Sequence, residues 1–356
     1  MTPVDGQTGR PPGGHNGGVS NTETRPDEIR CETAGGAEIE LIAPREVPLG
    51  GPRAMTVRRT LPSRSRSLIG AWCFLDHYGP DDVSATGGMK VAPHPHTGLQ
   101  TVSWLFTGEV EHRDSAGHHA RVRPGEVNLM TGGRGISHSE VSDDAFPVLH
   151  GAQLWVALPD SARHSEPGFE HHVPTPVTGP GWSVRVLVGS LLGDTSPVHT
   201  FTPLVGAEVL LDPGTSLEVP VEPGFEHGVL VDTGALTVHA EGGPTASPVG
   251  SDELAYLPPG ATRLTFVAGE RWTRLLLLGG RPFGESIVMW WNFVGRDHDE
   301  ILGYRRDWQD QITVDGAVVS DSQLVRAGRY GVVVGDHLPP IPAPPMPQGV
   351  RLRERR

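Results

Sequence analysis

HPHTGLQTVSWLFTGEVEHRD (94–114) is the stretch that decides the fold. Residues from Thr101 alternate, the chain turns at Thr107-Gly108, and alternation resumes to Asp114, which predicts a β-hairpin. Strand candidates follow in RVRPGEVNLMTGG (121–133), QLWVALP (153–159), WSVRVLVG (182–189) and AEVLLDPG (207–214). EHGVLVDTGALTVHA (226–240), DELAYLPPG (252–260) and TRLLLLGG (273–280) continue the series. Short strands at near-regular spacing, punctuated by Gly and Pro, predict an all-β double-sheet sandwich or small barrel. DHDEILGYRRDWQD (297–310) is the best helix candidate, with Ile301 and Tyr304 or Trp308 at helical spacing.

A weak repeat runs through these strands. EVEHRD follows the turn at Gly108, and LTVHAE follows a like turn at Gly234; EVNLMTGG (126–133) resembles ELAYLPPG (253–260). One offset of about 126 residues serves both pairs, so a duplicated barrel is expected. The chain divides accordingly into a disordered extension over 1–35, a first domain over 36–180 and a second over 181–295. A helix and a Pro-rich, then basic tail fill 296–356, lying over the surface as a strap or left loose.

His94 and His96 of the opening stretch are two apart, so on a strand both imidazoles face one side. His138 and Glu140, in TGGRGISHSE, repeat that geometry. Adjacent barrel strands would unite His94, His96, His138 and Glu140 as three nitrogens and a carboxylate. Such donors suit Fe(II), Mn(II), Ni(II), Cu(II) or Zn(II) and disfavour thiolate-selective metals. Four ligands in an octahedral field leave two open positions. His77 is expected to line the cavity without ligating. His118-His119 and His171-His172 are expected at the surface, with His112 and Glu111 solvent-exposed just past the hairpin turn. Ser139 faces away from its neighbours and Cys73 sits in an apolar run, so neither is a good nucleophile. TGGRG (131–135) lacks the Lys-Ser/Thr of a phosphate loop, and no GxSxG elbow occurs.

Composition narrows the partners. The 356 residues carry 42 acids against 29 bases, a net charge of −13, which argues against direct nucleic-acid or bilayer binding. Lys90 is the single lysine, so Schiff-base chemistry has almost no candidate. Two cysteines, Cys31 and Cys73, cannot build a disulfide framework and point to a reducing compartment, here the cytoplasm. The N-terminus has no apolar signal core and no 18-residue apolar run occurs.

LIGAWCFLDHYGP (68–80), HPHTGLQTVSWLFTGEVEHRDSAG (94–117) and RPGEVNLMTGGRGISHSE (123–140) together resemble the first domain of the pirin family, bicupins of the cupin superfamily. QLWVALP, EPGFEHH (166–172) and RPFGESIVMWWNFVG (281–295) match later blocks, so the likeness covers roughly 36–310. The resemblance implies two tandem cupin (double-stranded β-helix, jelly-roll) barrels and one metal, usually iron, in the first. The family ligands fall on His94, His96, His138 and Glu140. Gln100 stands where general cupins carry a glutamate. In the second barrel the matching positions are Pro220, Glu222, Thr265 and Val267, so no ligand set survives, and His227 alone cannot hold an ion. The implied activity is a quercetin 2,3-dioxygenase reaction on a small aromatic or enolic substrate with O2, with Glu140 as a catalytic base. The alternative is a non-enzymatic, iron-dependent redox sensor that binds a protein partner. A monomer is expected.

Overall fold

The computed structural model describes residues 39–49, 55–242, 246–347 and 351–352. The extension over 1–35, Cys31 and the last tail residues therefore lie outside the described residues, apart from Arg351 and Leu352. The fold is all-β, built as two cupin-type barrels. Each pairs a seven-stranded antiparallel sheet with a four-stranded one.

The larger sheet of the first barrel runs Gly168–His172, Val127–Thr131, Leu99–Thr107, Val148–Ala157, Trp72–Asp82, Met55–Leu61 and Arg45–Leu49. Its smaller sheet runs Lys90–His96, Ile136–Ser142, Val110–Asp114 and His119–Val122. The second barrel repeats that order. Its larger sheet is Glu40–Ile42, Leu254–Leu257, Glu226–Thr233, Thr273–Gly280, Leu204–Leu211, Trp182–Val188 and Val177–Gly179. Ser216–Pro220, Arg263–Ala268, Leu236–Ala240 and Ser247–Val249 form its smaller sheet.

The run Leu275-Leu276-Leu277-Leu278 explains how the barrels meet. A strand apolar on both sides is covered on both faces. Leu275 and Leu277 fill the second barrel with Val229 and Phe266. Leu276 and Leu278 face outward and pack with Leu230, Val102, Trp104 and Leu154. The two large sheets thus share one apolar seam, as in a sandwich. Trp72 Nε1 donates across it to the Gly279 carbonyl at 3.2 Å.

The helix forms over His298–Ile312, capped by the Asp297 side chain, which accepts from the Glu300 amide at 2.9 Å. Among the described residues no helix is long and apolar enough to cross a membrane. The helix buries Ile301, Tyr304, Trp308 and Ile312 against the first barrel's Val57, Tyr78 and Val91. The Pro-rich segment is a docked strap: Ile341 N donates to the Pro93 carbonyl at 2.8 Å, and Trp308 Nε1 donates to the Ile341 carbonyl at 2.8 Å. The early strand Glu40–Ile42, by contrast, pairs with Leu254–Leu257 of the second barrel. Each end of the described chain therefore packs on the barrel remote from it in sequence.

Register corrects the equivalences read from one constant offset. His138 stands opposite His94, and Ile136 opposite His96. In the second barrel Thr265 stands opposite Glu218, and Arg263 opposite Pro220. Thr265, Glu218 and Pro220 face outward, however, and the inward residues in register are Leu264 and Val219; the counterparts of His94, His96, His138 and Glu140 are thus Val219, Val221, Leu264 and Phe266, rather than Pro220, Glu222, Thr265 and Val267. Loops of unequal length between strands break the single offset. All four are apolar, so no ligand set survives in the second barrel.

Candidate metal centre

The strand Lys90–His96 ends in a turn that needs its glycine. Gly98 has φ +69°, and a Cβ there would lie 2.2 Å from the Val294 carbonyl oxygen. Thr97 accepts from the Val294 amide at 3.0 Å, so the strand Phe293–Gly295 braces the turn. On this braced strand His94 and His96 both point inward, and the neighbouring strand adds His138 directly opposite His94.

The three rings converge. Centroids are 4.3 Å apart for His94–His138, 4.9 Å for His96–His138 and 5.0 Å for His94–His96. His96 Nε2 and His138 Nε2 lie 3.0 Å from each other. One ring nitrogen from each of the three falls within 4.8 Å of the others. Glu140 joins through an overlapping group with His138 and His112, which also lies within 4.8 Å. The strand bulges between His138 and Glu140. Trp155 meets the His96 ring edge-on at 5.2 Å.

Electrostatics favour a cation here. Burial, aided by neighbouring imidazoles, holds His96 and His138 well below the ordinary histidine value. Burial also pulls His94 down to about 4 against the opposing Ala92 carbonyl. All three are neutral near pH 7, the state that ligates metals. His94 Nδ1 donates to the Ala92 carbonyl at 2.9 Å, which leaves Nε2 with its lone pair. Burial pushes Glu140 up to about 7, and its Oε2 is buried with no hydrogen-bond partner. An orphaned carboxylate oxygen beside converging neutral imidazoles fits a divalent ion. Gln100 points elsewhere, donating to Thr131 Oγ1 and the His199 carbonyl at 3.0 Å each.

Some residues differ from expectation. His112 is buried, 3% exposed, where solvent was expected. Phe169 stacks on its ring at 4.7 Å, and its Nδ1 lies 3.3 Å from His138 Nδ1. The signal was present: Val110, His112 and Asp114 alternate inward against Glu111 and Arg113. His77 does not line this cavity; it sits at the seam between barrels, beside His150 and Asp232. Asn292, in the WWNF run, is fully buried with both amide atoms unpartnered, and sequence reading passed over it. His118, His119 and His171 lie toward the surface as expected, and Cys73 is a buried thiol 3.6 Å from the Trp155 carbonyl. His227 is buried, with neither ring nitrogen partnered.

Comparison with known proteins agrees with this architecture. The Pirin family's sequence model matches residues 54–156, and that of the Pirin C-terminal cupin domain matches 206–313. A Pseudomonas aeruginosa protein, provisionally named a quercetin 2,3-dioxygenase, is 40% identical over 92% of this chain and 98% of its own length. A pirin-like protein of Caulobacter vibrioides is 36% identical over 71% of this chain and 88% of its own. The crystal structure of a quercetin 2,3-dioxygenase from Acinetobacter baumannii superposes with a TM-score of 0.78 at 36% identity. That match covers 90% of this chain and 98% of the other.

Proposed function

The chain belongs to the pirin family, and on that footing we propose that it oxygenates a flavonol or a related enolic or phenolic compound with O2. The observation that carries the reading is the convergence of three neutral, buried imidazoles beside an unpartnered carboxylate oxygen. We assign the ion to His94, His96, His138 and Glu140 together. Fe(II) is the ion we favour: the donor set suits several borderline metals, and a reaction with O2 favours a redox-active one. When bound, the ion lowers the pKa of a coordinated hydroxyl and orients it.

The chain's own groups do the rest. His94 is held in one tautomer by the Ala92 carbonyl, and Gly98 with Val294 fixes the turn that aims both strand histidines. Glu140, loosened from the ion, would take the proton of the substrate's 3-hydroxyl as a general base. Trp155 and the buried wall around it exclude water. Both atoms of O2 enter the products: a flavonol gives a depside and carbon monoxide. We further assign the barrel over 45–172 as the metal-binding domain and that over 177–280 as its degenerate partner; the strands Glu40–Ile42 and Val177–Gly179, placed in the first domain by the expected boundaries 36–180, belong to the second, and the helix His298–Ile312 returns to the first.

The test is aerobic turnover by iron-loaded protein, followed through flavonol absorbance and O2 uptake. His96→Ala, with its fold intact, is expected to abolish it. No turnover across a panel of flavonols, enols and catechols by fully loaded protein refutes the reading.

A further inference from the structure

A second group of ligand-type atoms lies at the seam between the barrels. His77 and His150 project from the first barrel's outer face, on the strands Trp72–Asp82 and Val148–Ala157. Asp232 meets them from the second barrel, on Glu226–Thr233. His77 Nε2 lies 2.7 Å, and His150 Nε2 2.6 Å, from Asp232 Oδ1. The two Nε2 atoms are 3.3 Å apart. All three residues are buried.

We propose that these atoms form a second metal site, a two-histidine, one-carboxylate face that holds a divalent transition-metal ion between the barrels. The donor set is one that borderline metals accept. The three atoms form a triangle small enough for an ion above its plane to reach each at about 2.0–2.2 Å. The outer contacts hold the ligands in place. His77 Nδ1 is 3.0 Å from Asp252 Oδ1, which would hold the remaining proton on that side once an ion takes the Nε2 lone pair. Asp232 Oδ2 accepts from Arg274 Nε at 2.7 Å, which frees Oδ1 for the shared point. Phe106 closes one side, 4.9 Å from the His150 ring.

The nearby cations are balanced. Arg58 pairs with Asp252 at 2.9 Å and Arg274 with Asp232. Two guanidiniums thus meet two carboxylates. Arg58 Nη2 also lies 3.3 Å from His77 Nδ1, and Arg274 Nη2 3.5 Å from His150 Nδ1. Without an ion, the imidazole protons occupy the shared point through their bonds to Asp232 Oδ1. Metal binding therefore releases protons. The site is independent of the first and does not require its chemistry.

The test counts metal in the full chain. Metal-free protein is titrated with Zn(II) against a competing chelator. Wild type is expected to hold two equivalents, while Asp232→Asn and His150→Gln each hold one and keep native circular dichroism. His96→Ala is also expected to hold one, now at the seam. Wild type saturating at one equivalent overturns the proposal without any variant. Two equivalents retained by folded Asp232→Asn and His150→Gln overturn it as well.

Discussion

His112 offers the sharpest test of how the first site is held. His138 Nε2 faces His96 Nε2, so with an ion held there the His138 proton sits on Nδ1, 3.3 Å from His112 Nδ1. On the far side His112 Nε2 faces Asp114 Oδ2 at 3.3 Å. His112→Phe keeps the ring stacked under Phe169 but removes the acceptor. A buried N–H left without a partner costs about 1–3 kcal/mol. The metal-free state escapes that cost, because His138 can shift its proton to Nε2, 3.0 Å from His96 Nε2. The penalty therefore falls on the bound state, and affinity drops about 10–100-fold. Chelator competition on the purified variant reads this directly. Affinity within about twofold of wild type, in a folded variant, refutes the relay. A drop beyond about 1,000-fold refutes it differently, by making His112 a ligand itself.

Three further outcomes follow from the packing. Arg59 and Asp76 form a buried two-bond pair at 2.6 and 2.8 Å, so Arg59→Met strands a carboxylate and costs about 3–5 kcal/mol in urea unfolding; adding Asp76→Leu should recover most of it, and no recovery contradicts the pairing. Trp308 is fully buried, so Trp308→Ala should cost about 3–5 kcal/mol by the same measurement, and a loss under about 1 kcal/mol means the helix is not anchored there. For His77, burial pulls its pKa down, but Asp232 and Asp252 outweigh both burial and Arg58 and leave it raised, with His150 alongside. That stabilisation is present below about pH 6.5 and is lost as pH rises through the raised folded value. Burial works against Asp232, but bonds from His150 and His77 hold it below the usual carboxylate range, so its share is lost only in acid. Metal-free protein should therefore lose melting temperature from neutral to alkaline pH; the same slope in His77→Gln refutes the assignment.

What the sequence made legible was whatever depends on neighbours along one strand. His94 with His96, and His138 with Glu140, share a face because the strand period is two, and their ligand atoms gather in overlapping groups as that period requires. His112 shared that period but was hidden. Its cover, Phe169, comes from a strand 57 residues on, and no local pattern announces it. His77 and Asp232 are further apart still, at 155 residues, and meet only because two large sheets stack. The four-leucine run declared both its faces buried without naming the partner on either. The repeat was visible in outline, yet its ligand equivalences slipped by one residue, which on a strand moves every side chain to the other face.

The crossing of the chain ends sets an order of events in time. Ser137 Oγ, beside the ligand strand, donates to the Tyr330 carbonyl 193 residues later at 2.9 Å, and the strap at Ile341 docks on Pro93. At roughly 5–20 residues per second of synthesis, the ligand strands wait about 10–40 s for that cover. During this interval the histidines are made but not sealed.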